Sequence, residues 1–203
     1  MKLSVVHLTC MHLLLLVISN LLVQYPFLVL GFHTTWGALT YPMIFILTDL
    51  TTRLMGAKVA RQTLLTALFP ALLCSWMISS WINTGYLFSL ESVSLRIAGA
   101  SLLAYLTGQW LDISIFNRLR KRAAWWVAPG ASTVFGNALD TFLFFFVAFF
   151  HSSNPFLASH WLEIALVDLA FKWIVTLSAL IPLYGFLLNR LLRLPLAQKP
   201  NYT

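Results

Sequence analysis

The chain has 203 residues, of which 60% are hydrophobic and only 9% charged, and its mean hydropathy is +0.83. Because soluble domains carry about 25% charged residues, this composition indicates an integral membrane protein and excludes an ordinary soluble domain. The net charge of +7 would suggest a nucleic-acid partner in a soluble chain. Here the basic residues cluster between apolar segments, as they do in the cytoplasmic loops of membrane proteins, so no nucleic-acid partner is expected.

The first apolar segment begins near residue 5 and continues to about residue 30. Lys2, followed by the leucine-rich run 13–17, is similar to the start of a secretory signal peptide. However, the apolar stretch continues well beyond that run, and no Ala-x-Ala cleavage site follows it. We therefore expect a retained first membrane helix.

Six segments of the chain are long and apolar enough to cross the hydrocarbon core, which takes about 17–25 helical residues. We expect them to form a single transmembrane domain that includes the whole chain, residues 1–203. The predicted fold class is an all-α integral membrane protein with six transmembrane helices. The predicted segments are 5–30, 36–54, 60–83, 94–114, 128–150 and 161–189.

The connections between these segments predict the orientation of the chain. Eleven of the 13 basic residues lie at the two ends of the chain or in and beside the second and fourth connections, all on one side if six helices cross the membrane. The connections on the other side contain neither Lys nor Arg; they are 31–35, 84–93 and 151–160. Since positive loops face the cytoplasm, both termini are predicted to be cytoplasmic.

Small residues recur at every fourth position in the fourth and fifth segments. Ala104 and Gly108 have this spacing in the fourth segment, and Ser132 and Gly136 have it in the fifth. Small residues spaced in this way allow two helix backbones to approach closely. Asp140 continues the second row, so we expect another helix to cover it, either within the bundle or from a second copy of the chain.

The fifth and sixth segments carry polar residues that are costly inside a membrane: Asn137, Asp140, Glu163, Asp168 and Lys172. Each charge at the bilayer centre costs about 2.5–3.5 kcal/mol. Asp140 and Lys172 reach a similar depth, about 16 Å along their helices, and Lys172 also follows Asp168 at i,i+4. Two interpretations remain open. Lys172 could form a structural ion pair with Asp168 or Asp140, or it could hold one carboxylate in a polar cavity while the other binds a proton or a ligand N–H.

On the predicted outer side, Asn20 could reach the same cavity, and Trp36 suits either ligand stacking or an interfacial turn. His33, His151 and His160 share this side but lack the spacing of a metal site, so no metal or cofactor is predicted. The chain also lacks a P-loop, a His-Glu-x-x-His motif and a Gly-x-Ser-x-Gly motif. It is therefore not expected to be an enzyme, and ATP-driven transport would need a separate energising module.

The predicted cytoplasmic side has two further polar groups. Asp49 and Arg53 are four residues apart at the end of the second segment, which predicts an interfacial ion pair or a gate. Gln109 and Asp112 lie towards the end of the fourth segment, where we expect them to cap or anchor the helix.

Five short strings follow one another along nearly the whole chain. They are Gly31-Phe-His-Thr-Thr-Trp-Gly37, Thr48-Asp-Leu-Thr-Thr-Arg53, Phe116-Asn-Arg-Leu-Arg120, Ser132-Thr-Val-Phe-Gly-Asn137 with Asp140-Thr141, and His160-Trp-Leu-Glu-Ile-Ala-Leu-Val-Asp168. Each string is weak by itself, but five in sequence on six predicted helices are specific. Together they resemble the queuosine precursor transporter family, a bacterial family also grouped with vitamin uptake transporters.

The resemblance implies import of 7-cyano-7-deazaguanine (preQ0) and 7-aminomethyl-7-deazaguanine (preQ1), which are salvaged for tRNA queuosine synthesis. It also implies a multi-pass protein of the bacterial inner membrane. The implied fold is similar to the substrate-binding subunits of energy-coupling-factor transporters, which are six-helix bundles with an outward-facing pocket.

The chemistry of such a base suits these polar residues. A deazaguanine presents N1–H and a 2-amino group side by side, and Asp140 or Glu163 could accept both in a charge-assisted fork. Its O6 needs a donor, which Asn137 or Lys172 could supply. Its flat ring suits an aromatic face, provided by Trp36 or by a Phe of the fifth segment.

In this hypothesis Asp168 and Lys172 shape the floor of the pocket. Two alternatives remain open: a carrier of the same fold for another vitamin-like or purine-like solute, and a membrane scaffold that transports nothing and uses its ion pairs for folding. Facilitated, proton-coupled and ATP-driven transport are all compatible with the sequence, as are a monomer and a homo-oligomer.

Overall fold

The computed structural model describes residues 5–22, 25–29, 31–90, 92–121, 124–152 and 155–192, which form a bundle of helices with one short β-hairpin. A π-helical segment, Thr176–Leu180, joins the last two helices. The α-helices are α1 (Val5–Leu22), α2 (Gly37–Thr40), α3 (Pro42–Met55), α4 (Ala57–Thr84), α5 (Ser92–Leu119), α6 (Val127–Phe149), α7 (Pro155–Val175) and α8 (Ile181–Leu192), and the hairpin strands are β1 (Pro26–Val29) and β2 (Phe32–Thr35).

Among the described residues, four helical stretches are long and apolar enough to cross a membrane, so the chain is a multi-pass membrane protein. They are Val5–Leu22, Ala57–Ile82, Val127–Phe149 and Ala158–Arg190. The predicted segments 36–54 and 94–114 are also helical. The first corresponds to α2 and α3 and the second to α5, but neither is among these four apolar stretches. In α5, polar side chains such as Gln109 and Asp112 lower the hydropathy, and both are buried within the bundle. Six crossings therefore remain a prediction.

The first predicted helix, residues 5–30, extends further towards its C-terminal end than the helix in the structure. α1 stops at Leu22, and the chain from Pro26 forms the hairpin, in which Pro26 pairs with Thr35 and Val29 with Phe32. Proline cannot donate a backbone hydrogen bond and disfavours helix in the residue before it, which explains why the helix does not continue. Gly31, with φ of +86°, supplies the left-handed conformation that the tight turn needs.

The helix pair α2 and α3 changes its hydrogen bonding at Pro42. Tyr41 keeps helical dihedral angles and donates its backbone N–H to Gly37, but the proline that follows has no N–H to continue the ladder. The joint brings Tyr41 into the interior of the bundle, where its side chain reaches α6.

Helices α5 and α6 pack with their backbones in close contact, as the spacing of small residues predicts. A Cβ atom added at Gly108 would lie 2.8 Å from the Cβ of Asp140. One added at Gly136 would lie 2.6 Å from Phe45 and 3.1 Å from the Cβ of Asp112. These contacts are possible only with glycine, and they fix Asp140 and Asp112 at the seam between the two helices.

Candidate functional site

A cavity lies among α1, α2, α5, α6 and α7, and buried charged side chains form part of its wall. About 440 Å³ between its walls is free of protein atoms, including the part that is open to the exterior. It is lined by the polar residues Ser19, Asn20, Tyr41, Ser101, Asp140, Asp168 and Lys172, together with Gly37, Ala38, Ala104, Phe144 and Phe145. A concave site with a few converging polar groups is the usual form of a small-molecule site.

Lys172 has a close carboxylate partner and a more distant one. Its Nζ lies 2.7 Å from Oδ2 of Asp168 and 4.0 Å from Oδ2 of Asp140. The shorter contact is an ion pair whose angles do not meet those of a hydrogen bond, whereas Nζ does donate a hydrogen bond of 3.0 Å to the hydroxyl of Thr141. The ammonium also lies 5.0 Å from the ring centroid of Tyr41, within range of a cation–π contact. Lys172 is therefore held mainly by its own helix and by α6.

Among the described residues, one carboxylate oxygen of Asp140 has no hydrogen-bond donor. Its Oδ1 accepts a hydrogen bond of 2.9 Å from the hydroxyl of Tyr41. Its Oδ2 has Lys172 at 4.0 Å, which is beyond hydrogen-bond distance. With formal charges, Asp140, Asp168 and Lys172 give this wall one net negative charge. The arrangement therefore suits a ligand that presents N–H donors or a positive charge.

Two other predicted parts of the site, Asn20 and an aromatic surface from α6, line the same cavity. Asn20 of α1 lies in its wall beside Ser19, whose hydroxyl donates to Thr40 at 3.0 Å. The aromatic part of the wall comes from Phe144 and Phe145, with ring centroids 5.4 Å apart and planes almost perpendicular. A planar ligand could therefore pack against a phenylalanine of α6.

Three predicted residues lie outside the wall of the cavity. Asn137 is fully buried one turn from Asp140, and neither polar atom of its side chain has a hydrogen-bond partner. Glu163 is exposed on α7. Trp36 is 46% exposed and stacks on Phe27 with ring centroids 4.4 Å apart. Ligand contacts by these residues stay predictions, and of the two carboxylates proposed for the purine edge, Asp140 is the one in the cavity.

The ion pair that the spacing of Asp49 and Arg53 predicts does not form. Asp49 is fully buried and accepts hydrogen bonds from Ser132, at 3.1 and 3.2 Å, and from Thr133, at 3.4 Å. Arg53 instead donates to the backbone carbonyl of Trp125 at 3.3 Å. The hydroxyl groups of α6 thus hold the carboxylate at the bundle interior, while the longer arginine side chain extends away from it.

Gln109 and Asp112 do not cap the fourth predicted helix. α5 continues to Leu119, so Asp112 lies within it, and the exposed fractions of Gln109 and Asp112 are 1% and 0%.

The hydrogen bond from Tyr41 to Asp140 is a contact that the sequence did not indicate. A tyrosine near the end of an apolar segment is typical of the membrane interface, and no spacing rule relates it to Asp140, which lies 99 residues further along the chain.

In the part of the chain that the structure describes, no three His, Cys, Asp or Glu side chains lie close enough together to hold a metal ion. The cavity instead offers carboxylate, ammonium, hydroxyl, amide and aromatic groups. Such groups bind and orient a polar organic molecule.

Comparison with known proteins gives the family. The family model described as "Putative vitamin uptake transporter" matches residues 35–187. The "Queuosine precursor transporter" of Escherichia coli (strain K12) is 50% identical over 192 residues, which cover 92% of this chain and 87% of the relative. The "Probable queuosine precursor transporter" of Haemophilus influenzae (strain ATCC 51907 / DSM 11121 / KW20 / Rd) is 40% identical over 208 residues, covering 94% and 88%.

A more distant relative, the "Probable queuosine precursor transporter" of Bacillus subtilis (strain 168), is 30% identical over 177 residues, covering 81% of this chain and 76% of the relative. No solved structure matches the chain. On the strength of the family match and of relatives aligned over most of their length, this chain belongs to the queuosine precursor transporter family within the vitamin uptake transporters, and it is a transporter rather than an enzyme.

Proposed function

We propose that the protein imports the queuosine precursors preQ0 and preQ1 across the bacterial inner membrane and that the cavity is their binding site. The observation that carries this proposal is the Oδ2 atom of Asp140, a carboxylate oxygen on the cavity wall to which no described residue donates a hydrogen bond. The names of the relatives supply the class of ligand, and the cavity supplies a reason for its recognition.

The guanine-type edge of a deazaguanine complements Asp140. The N1–H and the 2-amino group lie side by side and can donate to the two oxygens of one carboxylate. The hydroxyl of Tyr41 already occupies one acceptor position on Oδ1, which orients the carboxylate and leaves its remaining lone pairs for the ligand. A purine analogue without the 2-amino group would leave an acceptor unpaired and is expected to bind more weakly.

The remaining groups of the base also find partners. Lys172 has three N–H donors; one donates to Thr141, and the ammonium is ion-paired with Asp168, so a further N–H can approach the O6 atom of the ligand. Phe144 and Phe145 offer an aromatic surface to the ring. Asn20 can meet a polar substituent, and the aminomethyl group of preQ1, a cation, suits the net negative charge of the wall.

For the membrane topology we propose six crossings with both termini in the cytoplasm and a fold similar to the substrate-binding subunits of energy-coupling-factor transporters. The positive connections support this orientation. The polar residues of α5 are compatible with a crossing because they are buried against other helices rather than exposed to lipid. In this orientation the cavity lies in the outer half of the bundle, where an importer receives its substrate.

The proposal is tested by uptake of labelled preQ0 in cells that cannot synthesise it, with and without this protein. Asp140→Asn is expected to abolish uptake while the variant remains in the membrane. Glu163→Gln removes a carboxylate in the same way, but outside the cavity, and is expected to retain uptake. The opposite result for the two variants would move the site to Glu163, and no uptake by well-folded wild-type protein would contradict the proposed ligand.

A further inference from the structure

A second group of buried polar side chains lies on α3, α5 and α6, separate from the cavity. Asp49 follows Tyr41 by eight residues on α3, Asp112 follows Ala104 by eight on α5, and Ser132 precedes Asp140 by eight on α6. Eight residues of helix span about 12 Å, and the direction of each helix displaces the group towards the predicted cytoplasmic side.

Asp49 and Asp112 both pack against the same face of α6, and we call them the carboxylate pair. Asp49 accepts a hydrogen bond from Ser132, and a Cβ atom added at Gly136, one turn further along, would lie 3.1 Å from the Cβ of Asp112. Both carboxylates are 0% exposed. Asp49 accepts hydrogen bonds from the hydroxyls of Ser132 and Thr133, whereas neither oxygen of Asp112 has a donor.

Among the described residues, no basic side chain forms a salt bridge with the carboxylate pair, because both salt bridges there belong to Lys172. Arg53, on the next turn of α3, donates to the carbonyl of Trp125 and lies over the ring of Phe116. Arg120, beyond the end of α5, donates to the backbone carbonyls of Thr52 and Arg53.

Two other titratable side chains near the carboxylate pair, Tyr184 and His12, make contacts with other residues. Tyr184 of α8 takes part in a cation–π contact with Arg53, whose guanidinium carbon lies 5.8 Å from the ring centroid. His12 of α1 contacts Thr48 through Nε2 at 3.0 Å and the carbonyl of Leu8 through Nδ1 at 3.1 Å. It therefore meets the residue next to Asp49 and not the carboxylate itself.

Gln109 adds an unpaired donor on the same side. Its Oε1 accepts from Thr48, which places the amide next to the turn that carries Asp49. Its Nε2 is buried and has no partner, and Gln109 precedes Asp112 by three residues, so the two share a face of α5. This amide can donate to Asp112, but it carries no charge that would offset two adjacent carboxylates.

We infer that the carboxylate pair binds one proton and that transport is coupled to the entry of this proton into the cell. Two adjacent buried carboxylates cannot both be ionised without a large cost, and one shared proton removes the repulsion. A proton on Asp112 donates to Asp49, which gives Asp112 the partner that it lacks. A metal ion fits less well, because no third His, Cys, Asp or Glu side chain among the described residues joins the two carboxylates.

Asn137 lies between the cavity and the carboxylate pair along α6. It lies on α6 between Asp140 and Thr133, three residues from one and four from the other, on the same helix face. It is fully buried, and both polar atoms of its side chain are unpaired. The side-chain oxygen of an asparagine accepts hydrogen bonds, and its nitrogen donates them. Asn137 can therefore bridge the cavity and the carboxylate pair, either directly or through a water molecule.

Coupling follows from the position of the pair between three helices. While one proton is bound, the pair is held by a hydrogen bond, and α3, α5 and α6 stay packed on this side. Release of the proton towards the cytoplasm breaks the O–H bond and leaves two like charges, which favours separation of α3 from α5 on that side. The coupling, though not the binding of the proton, depends on the proposed transport function.

Infrared spectroscopy of the purified protein tests the proton directly. Wild-type protein at neutral pH is expected to show the carbonyl band of a protonated carboxyl group, with a shift in deuterium oxide, and Asp112→Asn is expected to lose it. Glu163→Gln, which removes an exposed carboxylate, is the matched control and should keep the band. An Asp112→Asn spectrum identical to the wild type would overturn the inference. If Asp112→Asn does not fold, Asp49→Asn is expected to show the same loss.

Transport in proteoliposomes tests the coupling. Accumulation of labelled preQ0 by the wild type is expected to increase with an inward proton gradient, and Asp112→Asn is expected to lose this response. Dependence on a sodium gradient, or wild-type accumulation that ignores pH, would overturn the coupling. Failure of the wild type to transport either precursor would contradict the proposed function instead, and the infrared result would still decide whether the pair holds a proton.

Discussion

The Nζ atom of Lys172 lies 2.7 Å from Oδ2 of Asp168 and 4.0 Å from Oδ2 of Asp140. The lysine thus neutralises the carboxylate of its own helix and leaves that of α6 accessible to a ligand. The two interpretations open from the sequence, a structural ion pair and a ligand cavity, therefore describe different members of one group of side chains. Asp168 is the partner that holds Lys172, and Asp140 is the proposed acceptor.

Lys172→Met is expected to destabilise the protein by about 3–5 kcal/mol, because it leaves Asp140 and Asp168 buried without a cation. The double variant Lys172→Met with Asp168→Asn removes one charge of each sign and is expected to recover part of this loss. Thermal unfolding of the detergent-purified variants measures both effects. Lys58→Met, at an exposed lysine, is the control. A single variant as stable as the wild type would show that the pair has no structural role.

Tyr41→Phe removes the hydroxyl that donates to Asp140. Hydrogen bonds to charged groups contribute about 1.5–3 kcal/mol, so the Kd for preQ0 is expected to rise by about ten- to one-hundredfold. Equilibrium binding to purified protein measures the change. Tyr25→Phe is the matched control, since Tyr25 is 55% exposed and does not line the cavity. Equal affinities for Tyr41→Phe and the wild type would contradict the role of Tyr41 in orienting the carboxylate.

Gly108→Ala is expected to disturb both the fold and the site. Its added Cβ would lie 2.8 Å from the Cβ of Asp140, and such overpacking costs about 1–3 kcal/mol. Because α5 and α6 must separate slightly, Asp140 should shift as well, and preQ0 binding should weaken. Gly99→Ala on the same helix meets nothing within 4 Å and is the control. If Gly108→Ala left both the stability and the affinity for preQ0 unchanged, α5 and α6 would be able to accommodate the added Cβ without moving apart.

The sequence predicts those parts of the site that depend on spacing within one helix. The i,i+4 relation of Asp168 and Lys172, and the small-residue row that continues to Asp140, both correspond to contacts in the structure. Spacing fails where a partner from another helix competes. Asp49 takes Ser132, 83 residues away, in preference to Arg53 at i+4, because burial at the α3–α6 contact favours a short hydroxyl over a long arginine.

Tertiary packing also decides which polar residues are buried. Asp112 is expected near a helix end from the predicted limits 94–114, but α5 continues to Leu119 and places it inside the bundle. Charged and polar residues lower the hydropathy of a segment whether they face lipid or other helices. The sequence pattern alone therefore cannot distinguish a helix end at the interface from a polar face covered by α3 and α6.

The net negative charge of the cavity wall predicts a preference between the two precursors. The aminomethyl group of preQ1 is a cation, whereas the cyano group of preQ0 is neutral, so preQ1 gains an additional attraction. Asp168→Asn removes one negative charge and frees Lys172 to approach Asp140. We expect the affinity for preQ1 to fall about tenfold more than that for preQ0, a difference of about 1.4 kcal/mol.

Competition of the two unlabelled bases against labelled preQ0, in wild-type protein and in Asp168→Asn, measures this ratio. Glu163→Gln makes the same change of charge outside the cavity and is expected to leave the ratio unchanged. A screened, long-range effect of net charge would change the ratio equally in both variants. An equal change would therefore show that the preference depends on net charge and not on the cavity wall, whereas a change confined to Asp168→Asn would locate the aminomethyl group near the Asp168–Lys172 pair.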